Sequence, residues 1–255
     1  ELLGLLLILW IGRSDLLTVT ARWPEFWPDA SAVTWYGIFW GGLLAFYAYI
    51  GFEDMVNVAE EVRDPQRNLP RAILLALAVS FLLYFMVAVV AVASVPAGAL
   101  AQAEAPLAFL YQQMTGREPV TITLISMFAV INGALIQIIM ASRVSYGMGR
   151  KGWAPAWLSR VHPVTRTPVI ATVLVTVLVI LMALWLPIES LARATSFFIL
   201  MVFTLVNIAL WRIKRRADRD YRGFSVYPWV PVAGALGALA LLLCLILLVC
   251  LIYIV

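Results

Sequence analysis

The chain is poor in histidine, cysteine and charge. Its 255 residues include one histidine and two cysteines, and only 13% of them are charged. Cys244 and Cys250 lie about 240° apart on a helix, so they do not form a pair. With no cluster of metal ligands and no nucleophile beside a base, the sequence predicts neither a metal site nor an enzyme active site. A Walker-type phosphate loop is also absent, which argues against direct use of ATP, and we expect no cofactor.

The low charge excludes a water-soluble domain. Hydrophobic residues make up 64% of the chain, which leaves too little polar surface to cover a globule. Apolar segments recur at 2–12, 34–62, 72–95, 119–148, 168–188, 190–211 and 229–255. Most of them reach the length of about 20 residues that a helix needs to span a bilayer. The sequence therefore predicts an all-α polytopic membrane protein with seven transmembrane segments, of which the first is a stub. Because both ends are apolar, we expect residues 1–255 to form a single transmembrane domain within a larger protein.

Basic residues are concentrated on one side of the predicted membrane. Fourteen of the 18 lysines and arginines follow the second, fourth and sixth segments: Arg63, Arg67, Arg71, Arg143, Arg150, Lys151, Arg160, Arg166, Arg212, Lys214, Arg215, Arg216, Arg219 and Arg222. The positive-inside rule places these residues in the cytoplasm, so the second segment runs from outside to inside. The net charge of +4 is explained by this topology, and no nucleic-acid partner is expected.

The second segment is too long for a straight span. A helix over residues 34–62 would be about 43 Å long, against a hydrocarbon core of about 30 Å. Gly51 is the expected break point, because glycine tolerates unwound backbone, and Glu53 or Asp54 would then begin a new half-helix whose dipole stabilises a carboxylate. A broken membrane helix usually lines a cavity. The alternative is that Gly51 marks a packing contact and that the two carboxylates are only helix caps.

A sparse polar stripe crosses the fourth segment. It consists of Ser126, Asn132 and Gln137, with Gly133 beside Asn132. These side chains either face the same cavity or make hydrogen bonds between helices, and the sequence leaves both interpretations open.

Two motifs resemble a known family. Residues 46–73, which include Ala-Glu-Glu-Val-Arg-Asp-Pro-Gln-Arg-Asn-Leu-Pro-Arg-Ala-Ile, resemble the sixth transmembrane segment and following loop of amino acid permeases in the amino acid, polyamine and organocation superfamily. Residues 141–150, Ala-Ser-Arg-Val-Ser-Tyr-Gly-Met-Gly-Arg, are similar to the cytoplasmic end of the eighth segment. The resemblance implies a LeuT-like fold, of which this chain supplies the tail of segment five to segment eleven. That portion contains the second inverted repeat, with one discontinuous helix, and lacks the N-terminal repeat.

The resemblance also implies a site. Backbone at Tyr49, Ile50, Gly51 and Phe52 would take part in substrate binding, and the Tyr47 ring would close over the substrate. Glu53 and Asn132 complete the predicted substrate-binding set. At the cytoplasmic end, we expect Glu60 and Glu61 to pair with Arg143 or Arg150 as an inner gate.

The function implied by the resemblance is secondary active transport. The protein would move amino acids across the cytoplasmic membrane by alternating access, through proton symport or exchange, and its partners would be the amino acid, the bilayer and the missing N-terminal repeat. A polyamine transporter of the same fold and a truncated fragment that does not transport remain open alternatives. The specific substrate, the coupling mode and the oligomeric state stay undetermined.

Overall fold

A computed structural model of the chain describes residues 2–27, 31–57, 59–216 and 225–254. Within these ranges the regular structure is helical and no strand occurs. The α-helices are α1 (Leu2–Ile11), α2 (Ala32–Tyr49), α3 (Asp54–Asn57), α4 (Pro65–Ser94), α5 (Ala97–Ala101), α6 (Pro106–Thr115), α7 (Val120–Arg150), α8 (Val169–Trp185), α9 (Ile188–Arg216) and α10 (Trp229–Ile254). Three 3₁₀ segments join them, at Gly12–Phe26, Ala59–Glu61 and Ala156–Ser159.

Four of the described helices are long and apolar enough to cross a membrane. They are Pro65–Ser94, Val120–Arg150, Ser190–Arg216 and Trp229–Leu247, and α8 is a shorter apolar helix. Large apolar side chains are exposed along them, among them Phe81, Phe85 and Ile131. Such surface suits lipid and not water, so the chain is an all-α polytopic membrane protein.

Two helices extend beyond the apolar segments that the sequence shows. α4 begins at Pro65 and not at residue 72, because proline is well tolerated at the first position of a helix, where its missing N–H has no partner to lose. Its first turns therefore include Arg67 and Arg71, which the sequence had placed in a loop. α9 continues to Arg216, because cations in the last turn interact favourably with the carbonyl end of a helix. Arg219 and Arg222 lie outside the described residues.

The chain divides into two compact units. Unit 1 comprises residues 1–30 and 75–177, and unit 2 comprises residues 31–74 and 178–255. The core of unit 1 is a cluster of buried aliphatic side chains: Ile8, Val87, Val90, Ala91, Val95, Leu110 and Ile122. Beside it the Ser94 hydroxyl donates a hydrogen bond of 2.6 Å to the Asp15 carboxylate, which satisfies a polar pair that is partly buried.

Unit 2 is built on the contact between α9 and α10, with α2 packed against both. Its core consists of Leu43, Leu200, Ala238 and Leu245. Gly234 allows the close approach of α10 to α9, since a Cβ at this position would stand 2.6 Å from the Asn207 Oδ1. The Asn207 amide is held in turn, because its Nδ2 donates a hydrogen bond of 2.8 Å to the Phe203 carbonyl. Unit 2 also contains the feature that the sequence singled out, the break after α2.

Candidate functional site

The helix of the second segment breaks where the sequence predicts. α2 starts at the N-cap Ser31, whose hydroxyl accepts a hydrogen bond from the Thr34 amide, and it ends at Tyr49. Gly51 then adopts a φ of 125°, a conformation that side-chain-bearing residues rarely reach. Two turn bonds replace the helical pattern, from the Ile50 amide to the Tyr47 carbonyl and from the Asp54 amide to the Gly51 carbonyl, each 3.2 Å long. The predicted interruption between Tyr49 and Asp54 is confirmed.

The carboxylate of Glu53 turns back onto the break. Its Oε2 accepts a hydrogen bond of 2.8 Å from the Gly51 amide, in a partly buried position. The Gly51 amide has no helical acceptor once the helix unwinds, and this bond supplies one. Because the acceptor is charged, the bond is stronger than one to a neutral oxygen. Glu53 therefore stabilises the unwound conformation from within the loop itself.

A new helix begins at Asp54 after the break, as predicted, but it is short. The chain winds for only one turn, Asp54–Asn57, and then enters the 3₁₀ turn Ala59–Glu61. The side-chain Nδ2 of Asn57 donates a hydrogen bond of 3.3 Å to the Asp54 Oδ1 within this turn. A single turn carries little macrodipole, so the predicted dipole stabilisation of Glu53 or Asp54 is not the main stabilising interaction here.

Aromatic contacts hold the break against α9. The Phe52 ring lies 5.7 Å from the Phe203 ring, centroid to centroid. Phe46, one turn before the end of α2, meets the same Phe203 ring edge-on at 6.2 Å. Pairs of this geometry contribute about 0.5–1.5 kcal/mol each beyond the area they bury, so both sides of the break are anchored to one residue.

A cavity of about 290 Å³ lies beside α2 within unit 2. The residues that line it include Tyr36, Trp40, Leu43, Tyr47, Arg193 and Ser196. Tyr47 is 43% exposed, so the predicted covering aromatic does face open space one turn before the break. Arg193 is not among the 14 basic residues of the predicted cytoplasmic side, and neither Arg193 nor Trp40 belongs to the predicted site.

Two predicted groups of site residues remain untested. Asn132 is exposed on α7 in unit 1, and that helix continues without a break through Asn132 and Gly133, so its part in a common site stays a prediction. For the inner gate, the Glu60 side chain lies outside the described residues. Glu61 belongs to unit 2 and Arg143 to unit 1, so their pairing also stays a prediction.

We expect Glu53→Ala to impair function and Glu53→Gln to retain most of it. Alanine removes the acceptor for the Gly51 amide, and loss of a hydrogen bond to a charged group costs about 1.5–3 kcal/mol, whereas a glutamine oxygen can still accept. The measurement is substrate uptake by the full-length protein in proteoliposomes. Glu104→Ala, at an exposed loop position, is the matched control. Equal losses for the alanine and glutamine variants would show that the charge matters and not the hydrogen bond.

Comparisons of the sequence with known proteins identify its family. The family model described as amino acid permease matches residues 2–255. A branched-chain amino acid permease, BcaP, of Bacillus subtilis (strain 168) is 28% identical over 238 residues, which are 92% of this chain and 50% of that protein. A methylthioribose transporter of the same organism is 28% identical over 218 residues, 84% of this chain and 46% of that protein. The vacuolar cationic amino acid transporter 2 of Arabidopsis thaliana is 33% identical over 175 residues, 68% of this chain and 27% of that protein.

Long apolar helices, one of them broken beside a cavity with an aromatic lining, define a polytopic membrane protein, and the relatives cited above are named as permeases or transporters. Within that class, the chain belongs to the amino acid permease family. It spans about half of the length of the relatives it matches, or less.

Proposed function

We propose that the full-length protein of which this chain forms a part is a secondary active transporter that moves amino acids across the cytoplasmic membrane by alternating access. The observation that carries the proposal is the helix break at Gly51, with a φ of 125° and an aromatic cavity one turn away, in a member of the amino acid permease family. Unwound backbone at membrane depth is stable only where it lines a cavity or meets protein partners, and a solute with ammonium and carboxylate groups supplies such partners.

The proposed architecture rests on the same family membership. The chain supplies seven transmembrane segments, the tail of the fifth to the eleventh, and the second inverted repeat of a LeuT-like fold. The other repeat comes from the N-terminal part of the protein and completes the substrate site. We place Tyr47, Tyr49, Ile50, Gly51, Phe52, Glu53 and Asn132 at that site. Basic residues lie at the start of α4 and at the ends of α7 and α9, and they support a cytoplasmic location for these three helix ends.

The test is uptake by the purified full-length protein in proteoliposomes. Radiolabelled leucine, lysine and putrescine are offered in parallel, each with an imposed pH gradient or with unlabelled substrate inside. Saturable leucine or lysine uptake supports the proposal, and the response to the two conditions distinguishes proton symport from exchange. Uptake of putrescine alone would favour the polyamine alternative. The relative named as a methylthioribose transporter makes methylthioribose a useful fourth probe.

We further propose an inner gate in which Glu60 and Glu61 pair with Arg143 in one state of the cycle. Pairs that are partly exposed contribute only about 0–1 kcal/mol to stability, so the gate acts on the balance between inward-open and inward-closed states. We expect Arg143→Ala to increase labelling of inner-cavity cysteines by a membrane-permeant thiol reagent and to change substrate efflux severalfold. Arg117→Ala, in the loop before α7, is the control. Unchanged labelling and efflux would refute the gate.

A further inference from the structure

One cationic side chain, Arg193, lines the 290 Å³ cavity beside α2 and also a second cavity, of about 340 Å³, between α9 and α10. Arg193 is the single basic residue between Arg166 and Arg212, and it lies in the second turn of α9. It is half-buried and lines the 290 Å³ cavity together with Tyr36, Trp40, Tyr47 and Ser196. Ionised groups within membrane helices are costly and occur mainly where they face a cavity or a partner. Arg193 lies near a helix end, where an arginine can reach the interface, so the argument for a ligand rests on the cavity that it lines and not on its depth.

The guanidinium of Arg193 is held by an aromatic ring. Its Cζ lies over the Trp40 ring, 5.1 Å from the centroid. Stacking of this kind uses the face of the guanidinium, whereas its N–H donors lie in its plane, so stacking is compatible with bidentate binding of a carboxylate. Ser196, which is only 4% exposed, adds a hydroxyl to the same cavity.

The cavity leads along α2 toward the break. The α2 residues that line it, which include Tyr36, Trp40, Leu43 and Tyr47, recur at helical spacing and share one face. From Tyr36 to Tyr47 this face extends about 16 Å, and Tyr47 is one turn before Gly51. In the orientation that the basic residues predict, Tyr36 is at the outer end, and Trp40, with Arg193 over its ring, lies between Tyr36 and Tyr47 on this face.

We propose that Arg193, positioned by Trp40 and assisted by Ser196, forms a subsite that captures the carboxylate of an α-amino acid before it reaches the break. The proposal rests on the proposed function and adds a residue and a ligand group to it. The subsite lies on α9 and the outer half of α2, separate from the unwound residues 50–53. Its ligand is recognised by the carboxylate and not by the side chain, so it serves amino acids of different size.

The experiment compares Arg193→Gln, Arg193→Lys and wild type in the full-length protein. Loss of a charge-assisted bidentate contact raises the KM for leucine uptake by about ten- to a hundredfold in the glutamine variant, with kcat changed less than about twofold. The lysine variant, which keeps the charge and loses the planar fork, is expected to have an intermediate KM. Arg212→Gln, the same substitution at an exposed position of α9, leaves KM unchanged.

Competition by leucinamide, which lacks the carboxylate, tests the chemistry of the ligand. We expect leucinamide to inhibit the uptake of radiolabelled leucine weakly, and to the same extent in wild type and in Arg193→Gln. Unlabelled leucine is expected to inhibit this uptake less in Arg193→Gln than in wild type. A wild-type KM in Arg193→Gln, or an equal loss of leucine and leucinamide competition, overturns the subsite. If Arg193→Gln is not monodisperse in detergent, Arg193→Lys carries the comparison.

Leucine binding to the detergent-purified protein, measured by calorimetry, is independent of transport. Suppose that the wild type shows no uptake but binds leucine, and that Arg193→Gln binds leucine at least about tenfold more weakly. The proposed function then fails and the subsite stands. If uptake is saturable and binding is the same in both proteins, the subsite fails and the proposed function stands.

Discussion

We expect Gly51→Val to abolish substrate uptake by the full-length protein and to leave its membrane insertion intact. Gly51 has a φ of 125°, a region that a β-branched residue reaches only under strain. A residue held in such a region costs about 1–3 kcal/mol, and valine relieves that strain by moving the backbone away from the unwound conformation. The Glu53 bond to the Gly51 amide and the placement of Phe52 against Phe203 then change together. We expect the variant to retain less than about a tenth of wild-type uptake.

The matched control for this variant is Gly41→Val on the same helix. Gly41 lies in the regular part of α2, and no described atom stands within 4 Å of its Cβ position. Valine there keeps helical dihedrals and meets no neighbour, so uptake stays within about twofold of wild type. Surface expression of both variants is measured by biotinylation. Uptake by Gly51→Val near the wild-type rate, at equal expression, would contradict a role for the unwound backbone in transport.

We expect the 255-residue chain, expressed alone, to enter the membrane and not to transport. It corresponds to 50% of the branched-chain amino acid permease that it matches. In the proposed architecture it supplies one inverted repeat, and alternating access needs the movement of that repeat against the other, which also completes the site. The measurement is uptake of radiolabelled leucine into proteoliposomes that contain the chain or the full-length protein in equal amounts. We expect saturable uptake with the full-length protein only.

Empty vesicles and a protease-protection assay serve as controls in this comparison. The assay verifies that the chain is inserted, so an absence of uptake is not explained by failure to enter the bilayer. Saturable leucine uptake by the chain alone would refute the fragment architecture and indicate that two copies of the chain together supply both halves of a transporter.

The break after Tyr49 could be predicted because its causes are local in sequence. The segment is longer than a bilayer, and it contains the residue type with the widest backbone freedom beside two carboxylates. The conformation of residues 54–62 could not be predicted in the same way. Hydropathy extends the segment to residue 62, but the helix that begins at Asp54 lasts only one turn. The return of Glu53 onto the Gly51 amide depends on the detailed dihedrals of the loop.

By itself the sequence determined the membrane class, the positions of most helices, the expected orientation and the break at Gly51. Each of these follows from composition or from spacing within one segment, where hydrophobic length and backbone freedom act locally. Only the tertiary structure decided that Arg193 lies over Trp40 and that Ser196, Tyr36 and Tyr47 share its cavity. These residues come from α2 and α9, which are far apart in the chain, and their meeting depends on how side chains fill the space between packed helices.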